Sequence, residues 1–175
     1  MDNKLEDLTA VIVTYKTNTD ILEMCLKAIN LNVKVIIIEN SNNFEKTDHI
    51  KKYYPNVEIY CSGKNLGMGA GNNFGILKSK TRYVLTLNPD TICSKEFFDN
   101  IKIYLNGNID FSAIGTQYEK NINTPPAYFF DDRKYNKNLS VDINYLQKVD
   151  WVVGCSILFD LSKFENKKLF DENYF

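Results

Sequence analysis

The sequence predicts an α/β fold, a three-layer αβα sandwich in which a mostly parallel central sheet lies between helices. Three observations predict it. Strand and helical patterns alternate from Leu8 to Leu87, which is how successive βαβ units read. The first strand, Leu8 to Thr14, is a short β-branched run without polar alternation, as expected of a strand covered on both faces. A polar cluster follows each strand, and in such sheets ligands bind beyond the carboxyl ends of the strands.

Leu8 to Thr14 (LTAVIVT) is the first strand. Thr17, Asn18 and Thr19 can cap the helix that follows, where Ile21, Leu22, Cys25, Leu26 and Ile29 recur at helical spacing. Val33 to Ile38 is the second strand, ended by Glu39-Asn40-Ser41-Asn42-Asn43. A charged helix from Phe44 to Tyr53 stops before Pro55, because the residue preceding a proline is pushed out of helical geometry. Val57 to Tyr60 gives a third strand. A Gly- and Asn-rich turn then leads into a helix from Met68 to Ser79 and a fourth strand, Tyr83 to Leu87. Beyond Asp90 the pattern changes. Ser94 is placed to cap a helix running to Leu105, and Phe111 to Tyr118 reads as a strand. Glu119 to Ser140 contains Pro125-Pro126, several Asn and no period, so it reads as a long mobile loop. Val149 to Leu161 is apolar and β-rich around Gly154, and a short charged helical piece follows.

Composition bounds the function. The chain has 175 residues, 44% of them hydrophobic and 25% charged, which suits one core and a single domain over residues 1–175. With 21 Lys+Arg against 22 Asp+Glu the net charge is -1, so no overall field favours a nucleic-acid partner. The apolar runs fall far short of the roughly 20 residues needed to span a bilayer. The opening MDNKLEDL lacks the apolar stretch of a signal peptide, and the expectation is a cytoplasmic protein. Cys25, Cys61, Cys93 and Cys155 form no C-x-x-C pair, and the only histidine is His49 in a charged segment. Neither a zinc site nor a Ser-His or Cys-His hydrolase is expected. All four cysteines read as buried small hydrophobes in a reducing compartment.

Four segments could carry chemistry. In Asn65-Leu66-Gly67-Met68-Gly69-Ala70-Gly71-Asn72-Asn73 the glycines bare the backbone where a strand hands over to a helix, and helix-start N–H groups favour an anion such as a diphosphate. Asn65, Asn72 and Asn73 would add amide donors. The spacing is neither the dinucleotide fingerprint nor a P-loop, and tight helix packing would explain the glycines equally well. Asn88-Pro89-Asp90-Thr91 places a carboxylate at a strand end, where it could bind Mg²⁺ or Mn²⁺ together with ligand phosphates; a plain turn is the simpler reading. At the ends of the first two strands, Tyr15 could flank a base and Glu39 or Asn40 could hydrogen-bond its edge, or Asn40 could simply cap a helix. In Asp150-Trp151-Val152-Val153-Gly154-Cys155 the single tryptophan could pack against the C–H face of a sugar, or be ordinary core.

The order VIVTY, IIIENS, NLGMGAGNNFG, LTLNPDT, DWVVGC resembles the family 2 glycosyltransferases, especially their rhamnosyltransferase-like branch with the GT-A nucleotide-sugar fold. The resemblance covers the chain from Leu8 to Phe175. It implies that Thr14, Tyr15, Glu39 and Asn40 lie at the nucleotide, with Glu39 standing where relatives often have a base-reading aspartate. It implies that Asn65, Gly67, Gly71 and Asn72 line the ribose and diphosphate. Asn88-Pro89-Asp90 matches the family's variant of its D-x-D motif, with Asp90 on a Mg²⁺ or Mn²⁺ ion and Asn88 near the donor sugar. Trp151 and Gly154 would border the acceptor. The implied reaction moves a sugar, with inversion, from a nucleotide-diphosphate sugar to the hydroxyl of a glycan or lipid-linked acceptor, in the cytoplasm or peripherally at the inner face of the membrane. Leu169 to Phe175 resembles the lead-in to the family's acidic pair that supplies the base, so the base is expected beyond Phe175 and no catalytic residue is assigned.

Two other readings compete. A nucleotide-sugar-binding or interaction module without turnover would share the motifs and differ only in lacking the base. A sugar-phosphate nucleotidyltransferase would need a Gly-rich, Arg/Lys-containing loop after the first strand, and VTYKTNTD is not one.

Overall fold

The computed structural model describes residues 4–107, 109–116, 149 and 151–174, together with the backbone of 128–129. The strands are β1 (Leu8–Thr14), β2 (Lys34–Glu39), β3 (Val57–Cys61), β4 (Tyr83–Leu87), β5 (Ala113–Gly115), β6 (Tyr128–Phe129), β7 (Trp151–Val152) and β8 (Ser156–Asp160). The helices are α1 (Thr19–Ala28), α2 (Thr47–Tyr53), α3 (Gly67–Lys78) and α4 (Phe97–Asn106). Six strands form one sheet in the order β3-β2-β1-β4-β8-β5, and β6 pairs with β7 in a separate two-stranded ladder. The first four strands run parallel, while β8 is antiparallel to both β4 and β5.

The period-two geometry of a strand divides its side chains between the two faces. Leu8, Ala10 and Ile12 of β1 join Val35, Ile37, Leu85 and Leu158 in one core cluster, covered by Leu22, Cys25 and Leu26 of α1, Ile50 of α2 and Phe98, Ile101 and Leu105 of α4. Val11, Ile36, Ile38, Val84, Ile157 and Phe159 form the other cluster. Among the described residues one helix covers that second face, through Ile76 and Phe74 of α3, joined by Val152 of β7 and by Leu161, Phe164, Leu169 and Phe170 from the last stretch of chain. With both faces covered, each fully buried Leu or Ile contributes about 1.5–3 kcal/mol, and the inner strands β1, β2 and β4 are buried almost throughout.

Several boundaries differ from the expectation. Helix α2 starts at Thr47, because Phe44 is spent in the preceding turn, its carbonyl accepting both the amide and the hydroxyl of Thr47. Asn18 is the residue that caps α1, its side chain accepting from the amides of Asp20 and Ile21. Ser94 does not cap α4 with its side chain; its carbonyl instead accepts from Phe97, the first helical residue. The strand expected over 111–118 is confined, among the described residues, to Ala113–Gly115. The apolar stretch 149–161 is broken by a turn at Gly154-Cys155 into β7 and β8. The charged piece after it is a single 3-10 turn, Leu161–Lys163, followed by bends. The segment read as a long loop, 119–140, lies outside the described residues apart from β6. Cys25 and Cys93 are buried as expected, but Cys61, at the end of edge strand β3, is exposed and Cys155 is partly so.

Candidate functional site

Parallel pairing sets the strand ends side by side, with Thr14 opposite Glu39 and Ile12 opposite Leu87. The polar residues after β1, β2 and β4 therefore meet at one edge of the sheet. They surround a cleft of about 460 Å³, a size usual for small-ligand sites.

Thr14 donates its hydroxyl to Glu39 Oε2 at 2.6 Å, and the Lys16 amide donates to Oε1 at 3.3 Å. Lys16 holds φ of 52°, a left-handed conformation uncommon for a non-glycine residue. The Glu39 carboxylate supplies a constraint from behind. Glu39 is itself only 2% exposed, while Tyr15 is left 49% exposed at the rim. Thr14, Tyr15 and Asn40 line the cleft; Glu39 does not.

Asn40 ties two elements together. Its amide N–H donates to the Thr14 carbonyl at 2.7 Å, and its side-chain Nδ2 donates to the Gly67 carbonyl at 2.9 Å. A carbonyl can only accept, so this bond fixes the amide orientation. Oδ1 is then left buried without a protein hydrogen-bond partner. Gly67 opens α3 with φ of +78°, a conformation favouring glycine, and its N–H donates to Asn65 Oδ1 at 3.0 Å. Gly67, Asn65 and Asn72 line the cleft.

The opposite wall is the turn after β4. Asn88 donates its amide to the Cys155 carbonyl at 2.8 Å and accepts from Thr91 at 3.1 Å, so the turn before β8 braces the turn that carries Asp90. Asn88 and Asp90 both line the cleft. Beneath them the buried Cys25 thiol lies 3.7 Å from the Asn88 carbonyl. Burial, with smaller contributions from the neighbouring Cys93 and Asp90 charges, pushes this thiol up to about 12. Cys25 stays protonated at neutral pH and is no nucleophile.

The structure thus brings together Thr14, Tyr15, Asn40, Asn65, Gly67, Asn72, Asn88 and Asp90 from the sequence candidates. It separates others. A Cβ on Gly71 would lie 2.8 Å from a Val13 methyl, and on Gly75 2.4 Å from a Val11 methyl. Both glycines let α3 pack closely on the sheet, and Gly71 does not line the cleft. Asn73 is 1% exposed and spends its amide on residues 169–172. Trp151, 53% exposed, and Gly154 are outside this cleft. The apolar lining from Val13, Met68, Leu87 and Pro89 was not anticipated; its only sequence signal is adjacency to the polar candidates. His49 is on α2, 2.9 Å from Glu23 and away from the cleft.

Chemically, the cleft offers amides, a helix start, a tyrosine rim and a carboxylate. No cluster of three or more His, Cys, Asp or Glu side chains suited to a metal occurs among the described residues. An ion at Asp90 would have to share its remaining positions with water and ligand oxygens, which suits a hard divalent cation binding beside phosphates.

The sequence model described as Glycosyl transferase family 2 matches residues 9–160. The chain is 25% identical over 146 residues to the minor teichoic acid biosynthesis protein GgaB of Bacillus subtilis, covering 77% of this chain and 15% of that protein. It is 26% identical over 183 aligned positions to the low-salt glycan biosynthesis hexosyltransferase Agl10 of Haloferax volcanii, covering 98% of this chain and 58% of that one. The chain therefore spans less than two thirds of the length of either relative. Among solved structures, the mannosyltransferase PcManGT of Pyrobaculum calidifontis in complex with GDP-Man and Mn²⁺ superposes with a TM-score of 0.62 at 11% identity, over 91% of this chain and 47% of that one. This likeness establishes the GT-A-type architecture.

Proposed function

The chain belongs to glycosyl transferase family 2, and from that premise we propose that it transfers a sugar from a nucleotide-diphosphate donor to an acceptor hydroxyl with inversion at the anomeric carbon. The observation that carries this reading is that one cleft is lined by Asp90 and Asn88 together with Asn40, Asn65, Gly67 and Asn72, at the ends of parallel strands. Tyr15 and Thr14 flank the nucleotide, held in place by Glu39 behind them. Asn65, Asn72 and the first amides of α3 face the ribose and diphosphate, where helix-start N–H groups favour negative charge. Asn88 contacts the donor sugar, and Gly71 acts indirectly, by letting α3 approach. A Mg²⁺ or Mn²⁺ ion held by Asp90 would supply positive charge to the leaving diphosphate. In the transfer, the acceptor oxygen bonds to the anomeric carbon as the bond to the diphosphate oxygen breaks, and the acceptor proton passes to a base that is left unassigned. Trp151 and Gly154 belong to the acceptor side in this reading. The relatives' names speak of teichoic acid and of low-salt glycan biosynthesis, and a glycan or lipid-linked acceptor is part of this reading. No helix among the described residues is long and apolar enough to cross a membrane.

Calorimetry with UDP and GDP, in the presence and absence of Mn²⁺, tests the site. Asp90→Ala is expected to abolish the Mn²⁺-dependent part of nucleotide binding, a loss of about tenfold or more. Unchanged affinity in that variant would remove Asp90 from the site. Release of nucleoside diphosphate from a panel of nucleotide sugars then separates a transferase from a module that only binds.

A further inference from the structure

Helix α3 divides its side chains among three surroundings. Met68 and Asn72 face the cleft, while Gly71 and Gly75 face the sheet. Gly69 and Asn73, one turn apart, face the last stretch of the chain. The Asn73 side chain accepts from the Leu169 amide at 2.9 Å and the Phe170 amide at 3.0 Å through Oδ1. Its Nδ2 donates to the Phe170 carbonyl at 2.8 Å and to Glu172 Oε1 at 3.1 Å. An asparagine amide can make four hydrogen bonds in all, and Asn73 makes every one of them to this segment. It grips both main-chain groups of Phe170 as a neighbouring strand would. At Gly69 an added Cβ would lie 3.4 Å from both the Asp171 carbonyl and Phe170 Cβ, and 4.0 Å from the Tyr174 carbonyl. Residues 170–174 therefore reach the first turn of α3, one position from the cleft-lining Met68.

We propose that Asn73 is a positioning residue for the transfer reaction, registering the 169–174 segment on the helix that frames the donor cleft. The inference rests on the functional reading above. Packing alone does not require such an arrangement: Leu169 and Phe170 are already anchored on the second core cluster, and a saturated amide adds register along the chain rather than apolar burial. One helix thereby fixes both the donor-side amides and the backbone of residues 169–172, and any reacting group carried by that segment is held relative to the donor. Orientation of this kind governs turnover more than donor affinity.

The test uses the 175-residue chain with Asn73→Ala, Asn73→Asp, the pair Asn73→Asp with Glu172→Gln, and Gly69→Val. Asn73→Asp keeps the acceptor for the two amides but sets an anion against the Phe170 carbonyl and Glu172; Glu172→Gln returns a donor. Gly69→Val pushes at the same segment, at Phe170 and Asp171, while leaving the Asn73 side chain itself unchanged, which covers the case in which an Asn73 variant does not fold. Expected for Asn73→Ala is about a tenfold or greater rise in hydrogen exchange at Leu169 and Phe170. Its affinity for UDP or GDP with Mn²⁺ should stay within about twofold, while kcat for nucleoside diphosphate release falls about tenfold at unchanged donor KM. Gly69→Val should share that kcat loss, and the double variant should recover part of what Asn73→Asp loses. Raised exchange with unchanged kcat would reduce Asn73 to a structural clasp and overturn the proposal, as would unchanged exchange. A wild-type chain that binds nucleotide but releases none from any donor also overturns it. Absence of nucleotide binding in the wild type would instead overturn the functional reading itself.

Discussion

Gly67 and Gly75 show that two glycines of one segment serve different physical needs. Gly67 is left-handed at +78°, and its carbonyl is the acceptor that orients Asn40. Gly75 has no room for a side chain, since a Cβ there would stand 2.4 Å from a Val11 methyl and 3.2 Å from an Ile38 carbon. Gly67→Ala should cost about 1–2 kcal/mol from the left-handed backbone, and weaken nucleotide binding because Asn40 loses its anchor. Gly75→Ala should cost about 1–3 kcal/mol from overpacking, and leave nucleotide affinity unchanged. Thermal unfolding with calorimetry on both variants checks this, and equal effects on binding would erase the distinction. The residue types at these positions were legible in sequence; their separate purposes were not, because a glycine carries no sign of whether it is needed for its φ or for its missing side chain. Glu39 is similar. Its position at the end of β2 was apparent, but only the contact with Thr14 and the Lys16 amide shows it turned inward to hold the turn after β1.

Within the six-stranded sheet β8 departs from the parallel pattern, and it is tied to β4 by charge as well as by its ladder. Arg82, just before β4, donates to both carboxylate oxygens of Asp160 at 3.0 and 2.7 Å. This fork, together with the Ser162 hydroxyl and amide, holds the Asp160 carboxyl below its ordinary range against the opposing effect of burial. A carboxyl lowered in the folded state contributes stability that is complete above its unfolded value, and that stability is lost as pH falls through the folded one. Acid unfolding followed between about pH 5 and pH 2 should therefore be less steep in Asp160→Asn than in the wild type, with a lower plateau at neutral pH. Parallel curves would mean that the pair does not link β4 and β8. The parallel strands were readable because β-branched runs and their spacing are local properties. The antiparallel entry of β8 was not, since direction depends on the path of residues far from the run itself.

At the scale of the molecule, among the described residues, the sheet is covered by three helices on one face but by one helix and the irregular 161–174 segment on the other. Phe159 meets Phe164 and Phe170 edge to face at 6.2 and 5.9 Å, so this segment is part of the core. Removing residues 164–175 should expose that face, giving binding of an apolar dye and a broadened thermal transition; a variant that unfolds as sharply as the intact chain would show the segment to be dispensable. The sequence alone determined the alternation of strands and helices and the polar clusters that end the strands, because hydrophobic period and turn composition act over a few residues. Only the tertiary structure decided that Asn72 faces the cleft while its neighbour Asn73 faces a segment 97 positions away. One step along a helix turns a side chain by roughly 100°, and which surroundings it then meets is set by distant chain that no local pattern encodes.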